Sequence, residues 1–409
     1  MSRVGFQKRT VRTTPLEHKT VLVRADYNVP LKEDGSIADD FRIRASVPTI
    51  KYLLEHDCKV VIMSHLGRPD GAPTTEFSLT PVAKRLAELL GHKVEFVDDC
   101  IGPKVSQAVR NAKEKSVILL ENLRFHAEEE ANDSAFANKI ATDSLAQYFI
   151  QDGFGVVHRA HASTDAITHF LPSVAGLLLE REFVEITNAM HAPRRPFLAL
   201  LGGAKVSDKI EVIESLAKVA DQIVIGGAMA NTFLANKGYS LGKSKVETDQ
   251  SEVIDRIWHK VREKAGEDMQ ESFLVLPTDL AVDDPSVRKY RRMVAVDQVP
   301  EDTAALDIGD QSIERMAKAI NRAQTIIWNG TMGMAEYEPF AHGSARAALE
   351  LAMHPEKTSI IGGGDTADFV INWDAKQGES FTHVSTGGGA SLELMAGRNL
   401  PGIEALLDA

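Results

Sequence analysis

Residues 196–228, PFLALLGGAKVSDKIEVIESLAKVADQIVIGGA, decide the fold. Two continuous apolar runs, PFLALLGG (196–203) and QIVIGGA (222–228), flank SDKIEVIESLAKVAD (207–221), whose apolar residues recur three and four apart. Unbroken apolar runs fit strands covered on both faces, and the helical period between them fits a helix lying on the sheet. The same unit recurs in both directions. Upstream lie TVLVRAD (20–26), KVVIMSHL (59–66), KVEFVDD (93–99), SVILLEN (116–122) and YFIQDGF (148–154). Downstream lie SFLVLPT (272–278), TIIWNG (325–330), TSIIGGG (358–364) and THVSTGGG (382–389). This alternation predicts an α/β protein with two doubly wound, mostly parallel sheets.

A chain of 409 residues is too long for one core. The boundary is expected after LPS (171–173), giving a first lobe over 1–173. VAGLLLEREFVEITNAMHA (174–192) reads as one long helix, so residues 174–195 are the expected connector and 196–391 the second lobe. The net charge of −12 argues against general nucleic-acid binding. Residues 1–175 are nonetheless near neutral, with 22 Lys+Arg against 23 Asp+Glu and eight of the 13 His, so an anion pocket belongs there. Cys58 and Cys100 read as small core residues, with no disulfide framework or metal cluster in their spacing. MSRVGFQKRTVR (1–12) lacks the apolar run of a secretory signal, and no stretch approaches the ~20 apolar residues of a membrane span. A cytoplasmic monomer acting on small molecules is expected, without nucleic-acid or membrane partners.

Ligands of open α/β sheets bind beyond the carboxyl ends of the strands. In the second half those ends are rich in glycine: LGGAK (201–205), IGGA (225–228), WNGTMG (328–333), IGGGDT (361–366) and STGGGAS (385–391). One such turn is ordinary. Five at one sheet edge suit backbone amides approaching a polyphosphate, with helix N-termini behind them. Lys205 and Lys209 are expected to share one helix face, with Lys205 in the first turn. Asp365 reads as a first-turn carboxylate and as a carboxylate for Mg²⁺, roles that are compatible. GYSLGKS (238–244) has too few residues between its glycines for a phosphate loop. GGGDTA (362–367) also fits a dinucleotide fingerprint, which leaves a nicotinamide-linked dehydrogenase as the competing enzyme class. A non-catalytic binding role is the other alternative.

The fingerprint explains none of the basic clusters in the first half. These are Arg24, Asp26 and Asn28 in RADYNVP, Arg42 in DDFRIRA and His65 with Arg68 in SHLGRP. Arg124 and His126 in ENLRFH, and Arg159 and His161 in HRAHAS, complete the set. Arginine offers a planar fork matched to phosphate and carboxylate oxygens, so this pattern fits a small polyanion. His65 and His161 are candidate general acids, and no G-x-S-x-G nucleophile accompanies them. Phosphoryl transfer between a nucleotide and a small anion follows.

In this order, RADYNVP, SHLGRP, ENLRFH, HRAHAS, LGGAKVSDKI, GGGDTA and STGGGAS resemble the phosphoglycerate kinase family, from about residue 19 to the last helix. The resemblance implies two Rossmann-like lobes joined by a hinge helix, with the tail (392–409) returning to the first lobe. It implies the reaction 1,3-bisphosphoglycerate + ADP ⇌ 3-phosphoglycerate + ATP, with Mg²⁺. It assigns Asp26, Asn28, Arg42, His65, Leu66, Gly67, Arg68, Arg124, Arg159 and His161 to the phosphoglycerate. Lys205, Lys209, Gly226, Gly227, Asn329, Glu336, Gly363, Gly364, Asp365 and Thr366 go to the nucleotide. Glu336 would hold the ribose and Asp365 the metal. Arg42 and Lys205, the implied catalytic pair, would flank the moving phosphoryl group from opposite lobes, which must close to react. Thr331 and Asp310 stand where the family usually has prolines, which bears on loop rigidity and on the adenine side.

Overall fold

The computed structural model describes residues 4–409, which form two compact units. One comprises Gly5–Val184 and Asn399–Ala409, the other Val4 and Glu185–Arg398.

The first unit is built on a six-stranded sheet in the order β3-β4-β2-β1-β5-β6. Its strands are β1 (Thr20–Arg24), β2 (Lys59–Met63), β3 (Val94–Val97), β4 (Val117–Leu120), β5 (Tyr148–Gln151) and β6 (Ser173–Ala175). Every pairing is parallel. Successive side chains point to opposite faces, and both faces are covered. Val21, Val23, Val60, Ile62 and Ile150 pack with Ile43, Ile50 and Leu86 of the helices Phe41–Glu55 and Thr80–Leu90. Leu22, Val61, Ile118 and Phe149 pack instead with Val109 and Ile140 of the helices Pro103–Asn111 and Ser134–Asp143. Two separate cores explain why these strands read as unbroken apolar runs.

The second unit repeats the plan with β7 (Phe197–Leu201), β8 (Gln222–Ile225), β9 (Leu274–Val275), β13 (Thr325–Asn329), β14 (Thr358–Gly362) and β15 (His383–Val384), ordered β15-β14-β13-β7-β8-β9. The chain leaves β7 toward β8 and β9 and returns as β13 on the other side of β7. The strand order therefore reverses between β7 and β13, where a ligand crevice is expected. An antiparallel sheet, β11-β10-β12, was not legible in the sequence; it comprises β10 (Asp279–Asp283), β11 (Arg292–Ala295) and β12 (Ala304–Ile308). SFLVLPT (272–278) supplies only the two residues of β9. Among the described residues no helix is long and apolar enough to cross a membrane.

Two boundaries differ from the sequence reading. Residues 174–192 are not one helix: Val174 and Ala175 belong to β6, and the helix runs from Leu177 to His191. The helix start is set by a distant group, since Asp152 Oδ1 at the end of β5 accepts the amide of Leu178 at 3.0 Å. A Cβ on the intervening Gly176 would collide with that carboxylate. The tail also begins later than 392. Residues 399–409 join the first unit, where Gly402 N donates to Val157 O at 2.9 Å and Leu407 N to Ser173 O at 3.0 Å. Residues 392–398 stay with the second unit, and Ser215 Oγ donates to Ala396 O at 3.3 Å.

Burial pushes the Asp152 carboxyl from 3.8 up to about 7. A folded value above the unfolded one means that the native state binds the extra proton. Stability from this group is full below about pH 4 and is lost as pH rises through about 7. Asp152→Asn retains an acceptor for Leu178 and removes the buried charge. Its urea midpoint should therefore fall less than that of the parent between pH 4 and pH 7. At pH 8 the variant should be the more stable, by up to a few kcal/mol. Parallel pH profiles for the two proteins would contradict this reading.

Candidate functional site

In the first unit the chemistry gathers where β1, β2, β4 and β5 end. Arg24, only 1% exposed, donates from Nε to Ser163 Oγ at 2.7 Å. Its other nitrogens reach Ala25 O and His65 Nδ1, the latter at 3.1 Å. A guanidinium so deeply buried needs an opposing charge. Glu129 (0% exposed) supplies it through Ser163, accepting that residue's amide at 3.0 Å and its hydroxyl at 2.5 Å. Burial raises the Glu129 carboxyl, with Arg24 as the strongest opposing influence.

Asp26 lies 3.7 Å from Arg42 and 4.0 Å from His65. Burial pushes its carboxyl up, but Arg42, His65 and Arg24 outweigh that and hold it below the usual range. Arg42 Nη1 donates to Asn28 O at 2.7 Å, and Asn28 Oδ1 accepts the Gly67 amide at 2.8 Å. Gly67 O in turn accepts from Arg124 Nη1 at 2.8 Å, while Asn122 Nδ2 holds Leu66 O at 2.7 Å. Asp26, Asn28, Arg42, His65, Leu66, Gly67 and Arg124 are thus one connected network. Arg68 and Arg159 are exposed, yet close enough to press the Arg124 pKa down, after the larger effect of burial.

The two histidines correct the sequence reading. Burial, with Arg24, Arg124 and Arg159 nearby, pushes His161 down to about 4, and burial with Arg24 drives His65 well below its usual value. Both are neutral near pH 7, so the positive charge here comes from arginine and neither ring is a resting general acid. Glu129, Ser163 and Asn122 escaped the sequence reading because the partners that give them meaning are 34 to 139 residues away. His158, whose buried Nδ1 has no hydrogen-bond partner among the described residues, escaped it too.

In the second unit the glycine loops follow β7, β8, β13, β14 and β15. Lys205 does not share a helix face with Lys209. It is exposed in the loop after β7, a short 3-10 turn covers Ser207–Lys209, and the helix starts at Ile210. Lys209 is instead buried at the strand-order reversal. Its Nζ donates to Gly202 O at 2.7 Å and to Asn329 O at 3.0 Å, and burial lowers it to about 8 against the pull of Asp365 and Asp208.

The amides of the first glycine loops are also already engaged. Gly202 N donates to Asn329 O, Gly203 N to Thr331 O, Gly226 N to Leu201 O and Gly227 N to Met332 O, all at 2.8–3.0 Å. Glycine is required here for backbone-to-backbone approach: at Gly227 (φ +62°) a Cβ would sit 2.7 Å from both Gly203 N and Gly203 O. These bonds also fix the loop at Thr331 without a proline. Asp310 occupies the first position of the helix Asp310–Arg322 and pairs with Arg291 at 3.0 Å, an arrangement suited to a helix N-terminus.

Donors remain elsewhere. The helix Gly364–Trp373 has Gly363 as its N-cap and no side-chain cap, with Asp365 exposed in its first turn. Thr366 Oγ1 accepts the Gly330 amide at 2.8 Å. Asn329 is 0% exposed, and neither its amide nitrogen nor its oxygen has a partner among the described residues. A Cβ at Gly363 would lie 3.4 Å from that oxygen. Glu336 stands in an exposed turn beyond the Thr331 loop.

Clustered arginines on one unit, with lysine, an uncapped helix end and an orphaned amide on the other, equip a protein for direct phosphoryl transfer. The class is a phosphotransferase. A sequence profile described as phosphoglycerate kinase matches residues 11–398. The phosphoglycerate kinase of Pelotomaculum thermopropionicum is 46% identical over 98% of this chain and 99% of its own. That of Chloroflexus aggregans is 47% identical over 99% and 100%. The solved structure of phosphoglycerate kinase from Coxiella burnetii superimposes with a TM-score of 0.82 at 35% identity, covering 97% of this chain and 98% of that one. The chain belongs to the phosphoglycerate kinase family.

The buried network generates a stability test. Glu129→Ala leaves Arg24 buried without its counter-carboxylate and should destabilise the first unit by about 3 kcal/mol. Ser163→Ala removes hydrogen bonds but no charge and should cost about 1 kcal/mol. Urea titration followed by circular dichroism measures both, and equal losses would refute the charge argument.

Proposed function

We propose that this enzyme transfers a phosphoryl group reversibly between 1,3-bisphosphoglycerate and ADP, giving 3-phosphoglycerate and ATP. The observation that carries the proposal is the arginine cluster, with Arg42 and Arg124 tied into one network beside Arg68 and Arg159. Asp26 and Glu130 pair with Arg42 and Arg124, and an anion of several charges would match the remaining cations. Asp26, Asn28, Arg42, His65, Leu66, Gly67, Arg68, Arg124, Arg159 and His161 form the phosphoglycerate site. Lys205, Lys209, Gly226, Gly227, Asn329, Glu336, Gly363, Gly364, Asp365 and Thr366 form the nucleotide site.

The exposed Asp365 carboxylate fits Mg²⁺, which takes one or two carboxylates together with substrate phosphates and water. When bound, the ion supplies charge neutralisation on those phosphates. Arg42 and Lys205 neutralise the moving group, and the helix end at Gly364 and the Asn329 amide hold the phosphates of the nucleotide. Lys209 fixes the loops. The two ligand sites belong to different units, so reaction requires the units to bring them together, with the helix Leu177–His191 as the hinge. A cytoplasmic monomer with no nucleic-acid or membrane partner completes the reading.

A coupled assay of ATP-dependent phosphorylation of 3-phosphoglycerate, with and without Mg²⁺, tests the reaction; NADH binding without such activity would favour a dehydrogenase. Lys205→Ala and Arg42→Ala should each lower kcat by about 10²–10³. Arg124→Ala should mainly raise KM for 3-phosphoglycerate, because it holds the substrate throughout the reaction. Near-normal kcat in Lys205→Ala would remove that residue from the chemistry.

A further inference from the structure

The loops that end β3 and β4 carry a cluster that phosphoryl transfer does not use. Asp99 and Cys100 follow β3, and His126 follows the short turn Leu123–Phe125 after β4. They line a cavity of about 340 Å³ whose wall also includes Thr75, Ser78 and Glu121. One oxygen of Asp99, the Cys100 sulfur and one ring nitrogen of His126 all lie within 4.8 Å of one another. Asp99 Oδ1 and His126 Nε2 are 3.1 Å apart.

Oxygen, sulfur and nitrogen meeting at one point is the donor set of a borderline-soft divalent cation. Zinc bonds of about 2.0–2.3 Å in a tetrahedron place neighbouring ligand atoms roughly 3.3–3.8 Å apart. The Asp99–His126 separation is already close to one edge, and the sulfur, within 4.8 Å of both, needs to move by about 1 Å or less. The donors are also oriented. Asp99 Oδ1 accepts the Cys100 amide at 2.7 Å, and the His126 ring lies 5.1 Å from that of Phe136. Cys58 donates its thiol to Leu16 O at 3.1 Å, whereas the buried Cys100 thiol has no such partner among the described residues.

We propose that Asp99, Cys100 and His126 form a binding site for a zinc-class cation, with its fourth position open to the cavity. Magnesium prefers an all-oxygen octahedral shell and is a poor competitor for the thiolate. Binding displaces the thiol proton to solvent, and no redox step is involved. The site has a route to the substrate pocket, because Arg124 lies in the turn that immediately precedes His126. That consequence rests on the phosphoglycerate reading above; the binding itself does not.

Competition for zinc between the full-length protein and a chromophoric chelator measures occupancy directly. One equivalent per chain is expected, falling to less than a tenth in Cys100→Ser and in His126→Gln. Circular dichroism establishes that both variants are folded. Cobalt loaded in place of zinc should show a thiolate-to-metal charge-transfer band that Cys100→Ser lacks. No stoichiometric binding by the parent protein, unchanged binding in both folded variants, or cobalt without that band would each overturn the site. With the site confirmed, zinc should raise KM for 3-phosphoglycerate several-fold in the parent protein and not in Cys100→Ser. An unchanged KM would remove the route through Arg124 while leaving the site standing.

Discussion

Both large sheets are buried on both faces, and this constraint organises everything else. A strand whose two faces lie in apolar cores has little room for polar side chains along its length, so polar groups collect where the strands end. Arg24 closes β1, Gln151 and Asp152 close or follow β5, Glu121 follows β4 and Asn329 closes β13. Each is buried, so each must find a partner or remain available to a ligand. Arg24 finds Ser163 and His65, and Asp152 finds the start of the helix Leu177–His191. The Asn329 side chain finds no partner among the described residues. The same rule that builds the cores therefore distributes structural and ligand-directed polar groups along the same edges.

Charge sets the character of the arginine cluster in the first unit. Burial, reinforced by the neighbouring arginines, drives His65 and His161 to the neutral state and depresses the pKa of Arg124. Buried carboxylates at Asp26 and Glu129 offset the deepest of these charges. Arg68 and Arg159 remain exposed at the rim. The polyanion proposed for this site would add negative charge beside them.

Legibility followed sequence distance. The apolar runs and glycine turns are local features, and both parallel sheets were recognisable from them. The order of motifs likewise revealed the family. Non-local effects were hidden. Val174 and Ala175 look helical until Asp152, more than 20 residues upstream, caps the helix that begins only at Leu177. Lys205 and Lys209 have helical spacing, but Lys209 leaves the helical face because its ammonium satisfies two carbonyls at the strand-order reversal. Glu129 carries no local signal at all, since its meaning comes from Arg24 and Ser163. The antiparallel sheet was missed because acidic residues break the apolar runs of β10 (DLAVD) and β12 (AALDI), while β11 (RMVA) is partly exposed.

The glycine loops give the last step. Read as a sequence, they suggest amides waiting for phosphate. In the structure the first three loops use their amides to bind one another, and Lys209 ties two of their carbonyls together. Their glycines are needed for backbone contact, a structural requirement that exists without any ligand. The proposed phosphate recognition therefore rests on the groups left over: the uncapped end of the helix Gly364–Trp373, the Asn329 side-chain amide and the exposed ammonium of Lys205. A rigid, self-bonded platform with a few unsatisfied donors suits a transferring enzyme better than a ring of mobile amides. Donors held by the fold need little reorganisation as charge shifts on the moving phosphoryl group.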